Sequence, residues 1–440
     1  MKDDKKIHQR NAVFDFDRLK FIYNLLLVLF PVLGIYTTVV PSVNLGELLL
    51  MAAFPFLAVD ALNKNVEINP YWNFLVYSLV STFLVVMSEQ TVDYMNVVFM
   101  VLRLFFHAAL YVWLGYLYLD IRLLMKIYKA FVYAAVGLIF AQWIVFRLTG
   151  YLIPYLIPWF QLRWTIKSPA EVFAYRASHT PLRISAFFVE PADYAQFITP
   201  FYIYLLFKKE KKTRTEWIFV GLILLSVLIA TSALFLISIV LVSLLWLVWK
   251  IKNHGVSSVG LILLSGALVA LLIYMAMSGD MENLEGLLDR LSEIDSSKGA
   301  TSGNMRVLRG FAVFSKLDPI NKLFGVGVGN TYSYSISHGI KTPYDYGTSE
   351  NFINFMSSLS NILVWNGTVG FVIYLAVMIR QYIRSERVGK VLLLYLLILM
   401  LSASIYVVPT YPFMISLIIG FERGREQSEQ EGEGMTIEQY

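Results

Sequence analysis

The chain has 440 residues, of which 57% are hydrophobic and 15% charged, with a formal net charge of +5. Soluble domains carry roughly 25% charged residues, and this much apolar surface exceeds what one soluble core can hide. There is no cysteine, which excludes disulfides, thiolate metal sites and cysteine nucleophiles; the positive charge is gathered in a few loops, which points to membrane topology rather than to nucleic acid.

Runs of about 20 apolar residues recur along the chain, the length that a bilayer-spanning helix requires. The expected fold class is therefore all-α: a polytopic integral membrane protein of about twelve transmembrane helices. In chain order the spans fall near 18–39, 45–62, 71–88, 96–118, 124–147, 185–207, 216–231, 234–250, 257–277, 351–378, 390–407 and 409–421. The N-terminal "MKDDKKIHQRNAVFDFDRLK" is too polar, and the run after it too long, for a cleaved signal peptide, so the first helix is expected to stay as an anchor.

Lysine and arginine mark the cytoplasmic loops of a membrane protein. The N-terminus carries Lys2, Lys5, Lys6, Arg10, Arg18 and Lys20. Strict alternation then places inside Arg122, Lys126 and Lys129; "KKEKKTR" at 208–214; Lys250 and Lys252; and Arg380, Arg384, Arg387 and Lys390. Both termini come out cytoplasmic, and two long segments fall outside, at 148–184 and 278–350. The organisation is thus 1–277 with nine helices and the outer loop 148–184, a large extracytoplasmic loop 278–350, three helices over 351–421, and an acidic cytoplasmic tail 422–440 without fixed structure. Within the large loop, Leu284, Leu287, Leu288 and Leu291 repeat with helical spacing, as an amphipathic helix lying on the membrane surface would.

Several polar residues sit where an apolar chain has little use for them. In "RISAFFVEPADYAQF", residues 183–197, Arg183 precedes the sixth span and Glu190-Pro191 interrupts it. Proline cannot continue the helical ladder and disfavours helix in the residue before it, so a helix is expected to start afresh at about Pro191. Glu190 then lines a polar cavity or forms a structural pair with an arginine. Arg306 and Arg309 lie one helical turn apart and suit a shared anion, or form a solvated basic face. "GVGVGN" at 325–330 lacks the Lys-Ser/Thr of a nucleotide loop and reads as bare backbone that approaches a ligand or a helix. Glu350 follows Ser349, a candidate helix cap, and serves either the helix start or the outer mouth as a base. Arg103 and His107 share a face of the fourth span, as a polar site or as a structural pair with Glu47 or Glu190. His338 stands in the outer loop as a secondary candidate. No HxxxH, HExxH or DxD spacing suggests a metal, and no cofactor is expected.

The pattern Arg-x-Ser-x-Phe-Phe-x-Glu-Pro-Ala at 183–192 resembles a signature of the bacterial Wzy-type polysaccharide polymerases and O-antigen ligases. So does Ser-Gly-Asn-x-Arg followed by Pro-Ile-Asn-Lys-Leu-Phe-Gly-Val-Gly-Val-Gly-Asn over 302–330, and "NGTVGFVIYL" at 366–375 resembles the start of that family's span after the large loop. The resemblance implies a GT-C-like fold and a metal-independent, inverting glycosyltransferase. Its substrate would be an oligosaccharide on undecaprenyl diphosphate, polymerised at the outer face of the cytoplasmic membrane into O-antigen, capsule or exopolysaccharide. By resemblance Arg183 and Arg306 hold the diphosphate; beside them the residues themselves offer Arg309 in support and Glu350 and Glu190 as the candidate catalytic carboxylates. Its partners would be the bilayer, a flippase and a chain-length regulator of the same pathway, with no nucleic acid. Where the family often has His-Asn, this chain reads Ser349-Glu350-Asn351, and Thr231-Ser232-Ala233 lacks the arginine of the family's Ser-Arg. Both differences favour a polymerase over the first alternative, a ligase delivering finished glycan to a lipid or protein acceptor. The second, a transporter or flippase of lipid-linked sugars, is disfavoured because the distinctive charges cluster in two long outer loops rather than within the spans.

Overall fold

The computed structural model describes residues 16–40, 43–62, 71–89, 92–153, 156–162, 171, 184–230, 233–254, 295–345 and 355–437. Among them the chain is helical, and its only strand-like pairings are two isolated bridges, Tyr36 with Leu162 and Thr37 with Asn44. The helices are α1 (Phe16–Leu33), α2 (Leu45–Leu62), α3 (Tyr71–Ser88), α4 (Tyr94–Tyr118), α5 (Ile121–Thr149), α6 (Pro191–Phe207), α7 (Arg214–Ala230) and α8 (Ala233–His254). Short helices α9 (Ser302–Val307), α10 (Arg309–Ser315), α11 (Pro319–Phe324) and α12 (Thr331–Ser337) follow, and then α13 (Ser358–Arg384), α14 (Arg387–Ser402) and α15 (Thr410–Ile437). Four of these are long and apolar enough to cross a membrane: α3, α4, α5 and α13.

The helix starts follow local chemistry. Asn44 and Glu47 exchange backbone and side-chain bonds at the head of α2, at 2.8 and 3.0 Å, which satisfies two amides that a helix start leaves open. Asp93 accepts from the Asn96 amide before α4, and Asp120 accepts from the Arg122 and Leu123 amides before α5. α5 ends at Gly150, whose φ of 68° is the left-handed cap that a side chain resists.

The outer surface reveals the solvent these helices expect. Phe83, Leu84 and Met87 on α3, Leu102 on α4 and Val372, Ile379 and Ile383 on α13 are all exposed. In water such bands would drive aggregation, whereas against lipid they cost nothing. Inside, polar groups are paired across helices. Tyr23 donates to the Leu110 carbonyl at 2.7 Å, within the widened π turn of α4 (Ala109–Leu114) whose carbonyls fall out of α-helical register. The buried hydroxyls of Tyr71, Tyr374 and Tyr411 meet at 3.1 to 3.2 Å and join α3, α13 and α15. With lipid outside, such bonds and close packing hold helices together where no hydrophobic force separates inside from outside.

Two expectations shift. The acidic tail is helical as far as Ile437 rather than unstructured from 422; its Glu and Gln residues are good helix formers that continue α15 without a break. The span expected to begin at 351 begins at Ser358, where Ser357 accepts from the Ser360 amide at 3.3 Å. The ninth span and the leucine stripe near 281–294 lie outside the described residues.

Candidate functional site

α6 and α14 pack side by side, and the Lys209 ammonium meets the Glu386 carboxylate at 2.9 Å. Lys209 follows the C-terminus of α6, and Glu386 immediately precedes the N-terminus of α14. The helices therefore run in opposite directions, each about 25 Å long. The start of α6 and the end of α14 share the other end of the pair.

Glu190-Pro191 lies at that shared end. α6 starts at Pro191, with Glu190 extended as its N-cap (φ −119°, ψ 145°), so the expected break is where the proline chemistry places it. Asp193 folds back and accepts from the Glu190 amide at 3.3 Å. The residues before the break form a buried knot: Ser185 donates to the Phe188 carbonyl at 2.7 Å, and Gln142 of α5 donates to the Ala186 carbonyl at 3.2 Å. Ala186 has a φ of 52°, a left-handed conformation that costs a non-glycine residue roughly 1–2 kcal/mol. The Glu190 side chain is exposed at the tip.

Arg306 reaches the same end from the large loop. Ser358 donates its amide to Ala403, just past α14, and Ser357 donates its amide to the Arg306 carbonyl at 2.7 Å. The loop's first part is self-organised: Thr301 caps α9 through the Asn304 amide, and the buried Asn304 amide group binds the carbonyls of Asp295 and Gly299 at 2.6 and 2.8 Å. This is the Ser-Gly-Asn-x-Arg segment, whose asparagine folds the turn that presents Arg306. The Arg306 guanidinium is half-buried and lies 5.1 Å over the Phe355 ring, a stacking that keeps a planar cation oriented.

Arg309 does not join Arg306 around a common anion in this arrangement. It is buried, and its Nε bonds the Asp345 carboxylate at 2.8 Å. Asp345 also accepts from the amide and hydroxyl of Thr342 at 2.6 and 2.8 Å. Burial works against that carboxylate, but the Thr342 bonds and the Arg309 guanidinium outweigh it and hold its pKa below the usual range. Arg309 thus ties the beginning of the loop to its end. The helical turn of separation, read in the sequence as a shared direction, is overridden by this bond to Asp345, next to the junction at Leu308 where α9 stops and α10 begins.

The glycine segment 325–330 approaches a helix, one of the two uses its sequence allowed. The amides of Val326 and Gly327 donate to the Val364 and Trp365 carbonyls of α13 at 3.0 Å each, and Val328 donates to the Thr82 hydroxyl of α3. α13 breaks at this point: Gly367 has φ 65° and ψ −173°. A Cβ on Gly325 would sit 2.2 Å from the Trp365 carbonyl oxygen, and one on Gly367 2.3 Å from the Leu323 carbonyl oxygen. The two glycines form one backbone-to-backbone contact that joins the "GVGVGN" and "NGTVG" motifs.

Arg103 and His107 are committed elsewhere. Both bind Glu47, at 2.8 and 3.0 Å, and all three are buried, so of the sequence alternatives the pairing with Glu47 is the one formed. His338 is exposed, stacked on Tyr334 with ring centroids 4.0 Å apart. Arg183 and Glu350 lie outside the described residues. No group of three or more His, Cys, Asp or Glu suited to a metal occurs among the described residues. Sequence reasoning missed Asp345 and Phe355, the partners of the two loop arginines, because no periodicity links a lone acid or ring to an arginine so far away. It also missed Asp318, which caps α11 and accepts from Tyr334 at 2.7 Å; the Asp-Pro pair at 318–319 was its available signal.

No protein-family model matches this sequence, and no curated protein matches it.

Proposed function

We propose that this chain is a metal-independent glycosyltransferase that polymerises undecaprenyl-diphosphate-linked oligosaccharide repeat units into a surface polysaccharide. The observation that carries the reading is the convergence of the Glu190-Pro191 helix break and the Arg306 turn at one end of the α6–α14 pair. Two segments more than a hundred residues apart, both carrying motifs that resemble those of the polymerase family, lie at the same end of this helix pair. The finer layout belongs to the same reading: twelve spans, a GT-C-like arrangement, both termini cytoplasmic and the motif end outside the cytoplasmic membrane.

In this mechanism the anomeric carbon of the growing chain loses its bond to a diphosphate oxygen and gains one to a hydroxyl of the next lipid-linked unit. The proton of that hydroxyl passes to the Glu350 carboxylate, and undecaprenyl diphosphate leaves. Negative charge grows on the leaving group as its bond breaks. Arg306, held over the Phe355 ring in a half-buried setting, and Arg183 stabilise that charge where water screens it less. Glu190 binds sugar hydroxyls at the tip of the helix break. Arg309 serves at one remove, by keeping the loop closed through Asp345.

The test is turnover by the purified chain supplied with lipid-linked repeat units and excess EDTA. Lipid-linked chains of increasing length, with release of undecaprenyl diphosphate, support the proposal. Transfer to a separate lipid or protein acceptor alone, or a requirement for magnesium or manganese, overturns it.

A further inference from the structure

The opposite end of the same helices carries a second cluster. Lys208 and Lys212 follow α6, Lys250 lies in the last turns of α8, and Arg387 opens α14. These segments are far apart in sequence, yet α6 packs on both α8 and α14, and the Lys209–Glu386 bond pins the 208–213 loop to the head of α14. Two nearby carboxylates are taken: Glu216 binds Lys208 at 2.6 Å and Glu386 binds Lys209 at 2.9 Å. Glu210, exposed in the same loop, still leaves the cluster with an excess of positive charge. Lys212, Lys250 and Arg387 have no ion-pair partner among the described residues. Like charges held together in this way are repulsive, and a folded chain keeps them only where an anion or a membrane surface offsets the cost. Burial first, and then Lys250, Lys208 and Arg387 beside it, push the Lys212 ammonium down to about 8.

Aromatic rings organise the cluster. The Arg387 guanidinium stacks 3.9 Å over Trp249, and Lys212 lies 5.2 Å over Trp217. Tryptophan favours the depth at which headgroups meet acyl chains. Next to these rings in sequence, Ile218 follows Trp217 and Val248 precedes Trp249, and both are exposed, as are Leu245 and Ile251 on α8. The cations thus sit above an apolar wall rather than in a polar pocket.

We propose that Lys212, Lys250 and Arg387, framed by Trp249 and Trp217, form a seat for the phosphodiester headgroup of an anionic phospholipid whose acyl chains lie along α7 and α8. The apolar wall separates this ligand from a free phosphate, which has no use for it. The bound lipid neutralises the repulsion and fastens the ends of α6, α8 and α14 to one another.

The experiment uses the full chain purified in detergent and exchanged into nanodiscs of mixed phosphatidylglycerol and phosphatidylcholine, with retained lipid counted by native mass spectrometry. The wild type should keep phosphatidylglycerol in preference. Lys250→Gln and Arg387→Gln should each lower that preference about fivefold, the scale of one cation near an anionic surface. Arg122→Gln, at the head of α5, should leave it unchanged. Lys212→Gln, in a loop and outside any helix, gives the same readout if a helix-end variant fails to fold. An equal loss in Arg122→Gln would reduce the effect to diffuse charge and overturn the proposal. So would unchanged retention in the cluster variants, or displacement of the lipid by millimolar inorganic phosphate. None of these outcomes depends on glycan polymerisation.

Discussion

Replacing Gly325 by alanine should be among the most damaging single-methyl changes in the chain. Its φ of 85° and ψ of 179° lie in a region that is essentially glycine-only and costs another residue of order 1–3 kcal/mol. The added Cβ would also sit 2.2 Å from the Trp365 carbonyl oxygen and 2.5 Å from the Asn366 amide, both backbone, so the loop or α13 must move. Overpacking of this kind typically costs another 1–3 kcal/mol, for a total of about 4. Gly339→Ala is the control: its φ is 61°, but nothing lies within 4 Å of a Cβ there, so strain alone remains, roughly 1–2 kcal/mol. Thermal unfolding in detergent, followed by tryptophan fluorescence, should rank Gly325→Ala well below Gly339→Ala. Gly367→Ala presses on the same contact from the other side, so the double variant should cost less than the sum of the singles. Equal midpoints for Gly325→Ala and Gly339→Ala would refute the claim that the glycine segment is pinned to the broken helix.

Glu47→Gln removes the carboxylate charge that the buried Arg103 and His107 share, and should destabilise by about 3–5 kcal/mol, with partial recovery in Glu47→Gln/Arg103→Met; matched expression and midpoints check this. Arg309→Ala and Asp345→Asn should be non-additive by about 0.5–3 kcal/mol in a double-mutant cycle, because each breaks the same tie within the large loop. Burial opposes the Asp318 charge, but the Asn321 amide and Tyr334 hydroxyl outweigh it and lower its pKa to about 2. A depressed folded pKa contributes stability that is present above the ordinary carboxylate value and lost as pH falls through the folded one. The midpoint should therefore drop between about pH 4 and pH 2, and Asp318→Asn should flatten that part of the curve.

The legible parts of this structure were those governed by local rules. Pro191 announced a helix start because a proline lacks the donor that a helix interior needs. The ends of α2 and α3 followed the limits of their apolar runs, and Arg103 with His107 marked either a polar site or a structural pair, because membrane helices do not carry idle charge; the pair with Glu47 is the one formed. Contacts between distant segments were not legible. Nothing near Arg309 in the sequence distinguishes Asp345 from other loop acids, and the helical spacing to Arg306 suggested a common target that the Asp345 bond replaces. The glycine motif admitted both a ligand and a helix as its neighbour. Only the tertiary arrangement shows Gly325 against Gly367. The basic ends of α8 and α14 read as topology marks, and their convergence on Lys212 depends on packing that no local pattern encodes.

Chain length of the surface glycan in strains carrying Arg183→Ala or Arg306→Ala, at matched protein levels, tests the proposed function most directly. Losing one preorganised donor to a departing diphosphate costs on the order of 100- to 1000-fold in rate. Arg183→Lys and Arg306→Lys should also be impaired, since lysine keeps the charge but not the planar fork. The account predicts folded variants that accumulate single lipid-linked repeat units. Polymer of wild-type length from either alanine variant would contradict the role given to that arginine, and wild-type polymer from both would contradict the site.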